Sequence, residues 1–267
     1  MATVTVGVLA LQGGVAEHLS LLKRAAPQVS PDDRSFHFLQ VRTAAELAKC
    51  DALIIPGGES TTMSIVAQRL GLLEPLREFV KIQQKPVWGT CAGLVLLAEE
   101  ASAVKKGGQE LIGGLDVKVI RNRYGTQIQS FTADLRLPFL AETQTPSSSA
   151  VQQGGEAEKP FRGVFIRAPV VEKVNVSSSA REEETGKDKE PVEIMGVYQR
   201  QKSTSQRKQE QDALPAGGEA TSTDEDIVAV RQRNVFGTSF HPELTTDFRI
   251  HVWWLKQVLD AVKPALN

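Results

Sequence analysis

One cysteine in this sequence sits between two glycines, in Gly89-Thr90-Cys91-Ala92-Gly93. An apolar stretch leads in from Pro86, and a helix-like run leads out. A thiol attacks only as the thiolate, and a free cysteine is mostly protonated at neutral pH. A tight strand-to-helix turn answers that problem twice. It lifts the side chain out of the sheet, and it sets the sulfur at a helix N-terminus, where the dipole and unpaired N–H groups favour negative charge. The glycines at 89 and 93 permit strained dihedrals and close packing. The pattern is the cysteine counterpart of the G-x-S-x-G nucleophile elbow. Taken alone it fits a small buried cysteine under a helix equally well, so the base matters.

The chain has four histidines. His18 falls on an amphipathic helical stretch, His37 in a strand and His251 on the last helix, and each reads as packing or surface. His241 differs. It follows Gly237-Thr238-Ser239-Phe240 at the end of a predicted strand and precedes Pro242-Glu243. Residues i and i+2 of an extended chain point the same way, so Glu243 can orient the imidazole, with Pro242 stiffening the link. Glu243 also fits as an acid at a helix start. The third piece is Pro56-Gly57-Gly58-Glu59-Ser60-Thr61-Thr62. Its two glycines let backbone N–H groups face a cleft, as an oxyanion hole requires. The stretch lacks the lysine and spacing of a phosphate-binding P-loop.

The elements that must hold these residues are legible as runs. Residues 4–11, 36–41, 52–56 and 86–89 read as buried strands, alternating with helices near 15–27, 44–49, 72–84 and 92–100 and one capped by Ser60. That rhythm predicts a parallel sheet with helices on both faces. The second half reads as strands at 117–120, 161–166, 170–176, 192–198, 227–231 and 235–239. A closing helix spans 245–262, with Phe248, His251, Leu255, Val258 and Val262 on one face. In a doubly wound sheet, sites form at the carboxyl ends of strands. Gln12, Gly58, Cys91 and His241 all fall at such ends.

Composition sets the bounds. The chain has 267 residues, 41% hydrophobic and 24% charged, which suits one large α/β domain or two small ones. A net charge of −1 gives no electrostatic case for nucleic acid or an anionic membrane. No signal peptide or membrane-spanning run is apparent. Two distant cysteines make no disulfide framework and fit a reduced cytoplasmic setting. No ligand cluster has metal spacing. Residues 143–159, 177–190 and 200–226 are polar and poor in large apolar side chains, and read as solvated surface insertions; regulatory or partner contacts are the other reading.

Cys91 in GTCAG and His-Pro-Glu at 241–243 resemble the signature of class I glutamine amidotransferases. GVLALQGGVAEH (7–18), IPGGESTTM (55–63), RNRYG (121–125), FIRAP (165–169) and SFHPELT (239–245) resemble the glutaminase subunits of pyridoxal 5′-phosphate synthases. The resemblance spans the chain apart from the three polar segments, which makes a single amidotransferase domain over 1–267. It implies a flavodoxin-like three-layer α/β sandwich with a mostly parallel sheet. It implies hydrolysis of L-glutamine by Cys91, His241 and Glu243, with ammonia passed to a (β/α)₈-barrel synthase subunit. Gly58, Glu59, Ser60, Arg121, Ile166 and Arg167 would then hold the substrate, and backbone N–H groups at Gly58 and Ala92 the oxyanion. The turn at Gln12 and Gly13 would be ordered by the partner. Pyridoxal phosphate would be the product of the complex, and no cofactor is implied. The chain departs from the family at Thr126, where a basic residue is usual. Two other classes stay open. One is a stand-alone cysteine hydrolase of γ-glutamyl compounds, the other an inactive scaffold for the synthase.

Overall fold

The structure, a computed structural model, describes residues 2–29, 34–102, 109–123, 130–143, 159–176, 190–200 and 225–262. The three polar segments, apart from their edge residues, and residues 124–127 lie outside these. The first half alternates strand and helix: β1 (Ala2–Leu9), α1 (Val15–Ala25), β2 (Arg34–Val41), α2 (Ala44–Leu47), β3 (Ala52–Ile55), α3 (Ser60–Arg69), α4 (Leu73–Arg77), β4 (Val87–Thr90) and α5 (Ala92–Leu97). Strands dominate afterwards: β5 (Ala98–Ala101), β6 (Leu115–Ile120), β7 (Ser130–Leu135), β8 (Phe161–Ile166), β9 (Val170–Val174), β10 (Glu193–Gln199), β11 (Glu225–Gln232) and β12 (Val235–Thr238), closed by α6 (Arg249–Ala261).

Ten strands form one sheet in the order β2-β1-β3-β4-β12-β11-β9-β6-β5, with β10 on β11. The block β2-β1-β3-β4-β12 is wholly parallel. Buried on both faces, its strands are continuous apolar runs, which is why they read so plainly from sequence. The period of two splits them between layers. Leu53 and Ile55 of β3 join the core under α3, α4 and α5, while Ala52 and Ile54 join the one under α1 and α6. Trp88, Trp253, Trp254 and Phe236 fill that second core. Among the described residues, no helix is long and apolar enough to cross a membrane.

Several expectations need correction. The helix expected over 92–100 stops at Leu97, and Ala98–Ala101 turns into β5 beside β6. Every residue of α5 is buried, so the run carries no 3.6-residue period to mark its end. The helix expected over 72–84 is α-helical only over Leu73–Arg77 and then widens into a π-turn at Glu78–Ile82. Strand β7 was not foreseen; it pairs with β8 as a separate antiparallel ribbon. Its sequence, SFTADL, is half-exposed and short of strong strand formers. The closing helix starts at Arg249 rather than 245.

The tightest packing lies around the cysteine turn. A Cβ on Gly93 would stand 2.0 Å from the Ile55 carbonyl oxygen, and one on Gly89 would stand 2.5 Å from the Gly93 carbonyl carbon. Helix α5 therefore lies against β3 and β4 at a distance only glycine allows. We predict that Gly93→Ala destabilises the fold by on the order of 3 kcal/mol, at the upper end for overpacking. Urea unfolding midpoints would measure it; a loss below about 0.5 kcal/mol, the usual surface value, would contradict this packing.

Candidate active site

Cys91 joins β4 to α5 with φ +48° and ψ −104°, a left-handed conformation outside the usual regions. Strain of this kind costs about 1–3 kcal/mol and persists only where the surroundings impose it. Here two backbone bonds do so: the Cys91 N–H donates to Thr238 O at 2.8 Å, and the Val95 N–H donates to Cys91 O at 3.2 Å. The sulfur is turned out of the sheet toward β8, 3.9 Å from the Ile166 carbonyl oxygen. It is nearly buried, at 6% exposure.

His241 follows β12, the strand paired parallel with β4. Its N–H donates to Val164 O at 2.8 Å, so the β8 strand carries its backbone. Its Nδ1 lies 2.7 Å from Glu243 Oε1. The link is not the extended i, i+2 pair expected from sequence. Pro242–Leu244 form a 3₁₀ turn, and the carboxylate reaches back to its neighbour's ring from within it. With Nδ1 on Glu243, Nε2 is left for the sulfur. Burial disfavours the imidazolium, but hydrogen bonds to Cys91 and Glu243 outweigh it and carry the His241 pKa up to about 10. Burial likewise opposes ionisation of Glu243, yet its bond to His241 holds it below the usual carboxylate range. Glycines make room for both side chains: a Cβ on Gly57 would lie 2.3 Å from His241 Cε1, and one on Gly14 would lie 2.7 Å from Glu243 Cγ.

The glycine loop after β3 forms the second wall. Gly58 has φ +151°, and the Glu59 N–H donates to Gln12 Oε1 at 2.9 Å. Gly13, at φ +89°, packs so closely that a Cβ would fall 1.9 Å from Gly57 O. The β1–α1 turn and the glycine loop thus lock together. The cap of α3 is Glu59, not Ser60 as expected from sequence: its carboxylate accepts from the N–H groups of Thr61 and Thr62 at 3.0 and 2.7 Å. Ser60 is instead buried as the first helical residue, its hydroxyl donating to Gln109 Oε1 at 3.1 Å. Arg121, just after β6, donates to Glu59 Oε1 at 3.2 Å and Thr61 Oγ1 at 2.9 Å. Partial burial works against the Glu59 charge, but the bonds from Thr62 and Thr61 win and set its pKa at about 2. Arg167 follows Ile166 at φ +44° with its side chain exposed. Ala92 opens α5, where the first N–H groups have no intrahelical acceptor.

The expected residues therefore gather in two adjoining groups. Cys91, His241, Glu243 and Ile166 form one; Gln12, Gly58, Glu59 and Arg121 form the other. Sequence reasoning missed what stands behind them. His18 and His251, expected as packing or surface, are both wholly buried, with His18 Nδ1 3.1 Å from His251 Nε2 and His18 Nε2 3.4 Å from Glu243 Oε2. The apolar neighbours Val15, Leu19 and Leu22 put His18 on the buried face of α1, but nothing in the sequence pairs it with a residue 233 positions away.

A strained cysteine at the carboxyl edge of a parallel sheet, backed by histidine and glutamate from the next strand, belongs to the glutamine amidotransferase class. A solved structure titled as a glutamine amidotransferase matches over 95% of this chain and 98% of its own, with a TM-score of 0.61 and 32% identity. The fold is the flavodoxin-like three-layer α/β sandwich of that class. More narrowly, the chain belongs to the SNO glutamine amidotransferase family, whose sequence profile matches residues 8–212. It is 45% identical over 258 residues to the probable pyridoxal 5′-phosphate synthase subunit PDX2 of Arabidopsis thaliana, covering 94% of this chain and 85% of that one. It is 38% identical over 256 residues to the pyridoxal 5′-phosphate synthase subunit SNO1 of Saccharomyces cerevisiae, covering 94% and 92%.

The two buried histidines make acid stability testable. Burial lowers both from 6.5 to about 3, so in the folded state they stay neutral down to that pH. The unfolded chain binds those protons near 6.5. Stability from this source is full above pH 6.5 and is lost as pH falls toward 3. We expect the thermal midpoint to decline through that window, and the decline to flatten in His251→Leu, which removes one of the two titrations.

Proposed function

We propose that this chain is the glutaminase subunit of a pyridoxal 5′-phosphate synthase, and that Cys91, His241 and Glu243 are its catalytic triad. The observation that carries the reading is the 2.7 Å His241–Glu243 bond directed at a strained cysteine. The names of the relatives supply the pathway. His241 takes the proton of the Cys91 thiol, with Glu243 orienting the ring, and the sulfur becomes the nucleophile. The sulfur attacks the carboxamide carbon of L-glutamine, and N–H groups at Gly58 and Ala92 receive the developing oxyanion. His241 returns its proton to the departing ammonia. Water then hydrolyses the glutamyl thioester, with His241 as base and Glu243 holding the ring.

The neighbouring residues fit the same scheme. Glu59, Ser60, Arg121, Ile166 and Arg167 line the substrate side, the Arg121–Glu59 pair suiting the charged amino-acid end. Ammonia goes to a (β/α)₈-barrel partner in the cytoplasm, and no cofactor is held here. The chain acts as one amidotransferase domain, with the polar segments as insertions. The lock between Gly13 and Gly57 supports partner control: a reorientation at Gln12 and Gly13 is felt directly at the glycine loop.

Glutamate release from L-glutamine, with the chain alone and with a synthase barrel added, tests this. We expect a low rate that rises on addition. A high, unchanged rate points to an independent hydrolase, and no release in either case to a scaffold. Cys91→Ala should cost roughly a thousand-fold or more in turnover, as losses of a nucleophile do. Arg121→Gln should raise KM roughly ten-fold with kcat nearly unchanged, the pattern of lost ground-state binding; a fall in kcat alone would move Arg121 out of the binding group.

A further inference from the structure

The second oxygen of Glu243 poses the question. The side chain is 1% exposed, and Oε1 is taken by His241. Among the described residues neither Oε2 nor His18 Nε2 has a hydrogen-bond partner, and these two atoms face each other at 3.4 Å. A buried carboxylate oxygen with no donor is costly, and a shift of a few tenths of an ångström would join the pair.

We propose that His18 is a positioning residue for the reaction: as a neutral ring it donates Nε2–H to Glu243 Oε2, and His251 fixes the tautomer that makes this possible. The inference rests on Glu243 serving in the triad. Tautomer counting carries it. If His18 bore its proton on Nδ1, its bare Nε2 would face a carboxylate. Its Nδ1–H would then claim His251 Nε2, so His251 would carry a proton on Nδ1, an atom with no partner among the described residues. If His18 carried Nε2–H but His251 carried Nδ1–H, two bare nitrogens would meet at 3.1 Å. Only one arrangement gives every N–H an acceptor. His251 Nε2–H donates to His18 Nδ1, and His18 Nε2–H donates to Glu243 Oε2. The unpartnered atom is then a bare nitrogen, His251 Nδ1.

The surroundings suit a neutral donor. Both rings are fully buried and meet Trp88 edge-to-face, with ring centroids 4.9 Å apart for His251 and 5.6 Å for His18. The titratable groups facing His18 are Glu243, His251 and, across the carboxylate, His241. A cation at position 18 would cancel the charge with which Glu243 holds the His241 proton. A neutral N–H steadies the carboxylate and leaves that charge intact. Helix α1 thus braces Glu243 twice, through His18 and through the room left at Gly14.

Two amides separate this role from packing. In His18→Gln the amide nitrogen reaches the place of Nε2 and can donate to Glu243; His18→Asn reaches only the place of Nδ1, where its amide oxygen can accept from His251 Nε2–H, and the donor to Glu243 is lost. Each is made alone and with Glu243→Gln, and glutamate release is measured with the synthase subunit present, alongside thermal midpoints. We expect Asn to lower kcat roughly ten-fold with KM nearly unchanged, the scale of one hydrogen bond to a charged group. Gln should recover most of it, and in the Glu243→Gln background Asn should add less than about two-fold, because coupled sites are not additive. The acid limb of kcat/KM should move to higher pH in Asn but not in Gln. Equal kcat for Asn and Gln at equal thermal midpoints overturns the proposal, as does an Asn loss of the same size in both backgrounds. If Glu243→Gln itself leaves turnover intact, the triad assignment falls with it; if Glu243→Gln is crippled while both His18 variants are normal, only the brace falls.

Discussion

A carboxylate buried behind His241 is the constraint around which this fold is arranged. Removing a charge from water costs several kcal/mol unless partners replace the lost hydration. Glu243 is nearly sealed, so its partners must come from the protein. His241 arrives two residues before it, from the end of β12. The other imidazole arrives from α1 and is held in turn by one from α6. Three elements far apart in the chain therefore converge on one charge. The parallel block of the sheet is what allows this, since β1, β3, β4 and β12 end at a common edge.

Convergence at that edge demands closeness that side chains would prevent. Gly13 lies against the Gly57 carbonyl, Gly57 against His241, Gly14 against Glu243, and Gly93 against the Ile55 carbonyl. These are four contacts of one design: each removes a Cβ where a backbone or a functional side chain must pass. The strain at Cys91 is held by the same geometry. Its N–H is claimed by Thr238 on β12 while its carbonyl starts α5, so relaxing the turn would cost a bond to the strand that delivers His241. Cys91 and His241 are tied to each other through the backbone as well as through their side chains.

Much of this was legible in sequence, for a physical reason. Strands buried on both faces are apolar runs, and a glycine-flanked cysteine between run and helix stands out. The His-Pro-Glu spacing and the double glycine were equally plain. What stayed hidden depends on distance or on lost periodicity. The apolar run of α5 gives no sign that Ala98 must extend to meet Leu115. Ser60 looks like a cap, and only the structure puts Glu59 one residue earlier, where its longer side chain can also meet Arg121. His18 and His251 each look like ordinary core histidines, and their meaning lies in facing each other and Glu243.

The far half of the sheet answers a different need. Strands β10 and β11 pair antiparallel with Gln199 opposite Glu225, at the same edge as the carboxyl end of β12, because Ala229 of β11 lies beside Thr238. The chain leaves and returns there around residues 201–224. Its anchors are independent of what lies between: Gln199 hydrogen-bonds Glu225, and the buried Asp226 takes Arg123 at 3.7 Å and Arg200 at 3.5 Å. Closure entropy rises only with the logarithm of loop length. Once both ends are pinned by strand pairing and a buried ion cluster, a long polar segment adds little cost to the fold. By contrast, Asn175 and Glu190, which flank residues 177–189, bond to Asp116 O, the Val192 N–H and the Gln232 side chain, near the amino end of β12. The described flanks of these two polar segments thus lie at opposite edges of the sheet, and those of 201–224 lie on the side where Cys91 and His241 meet.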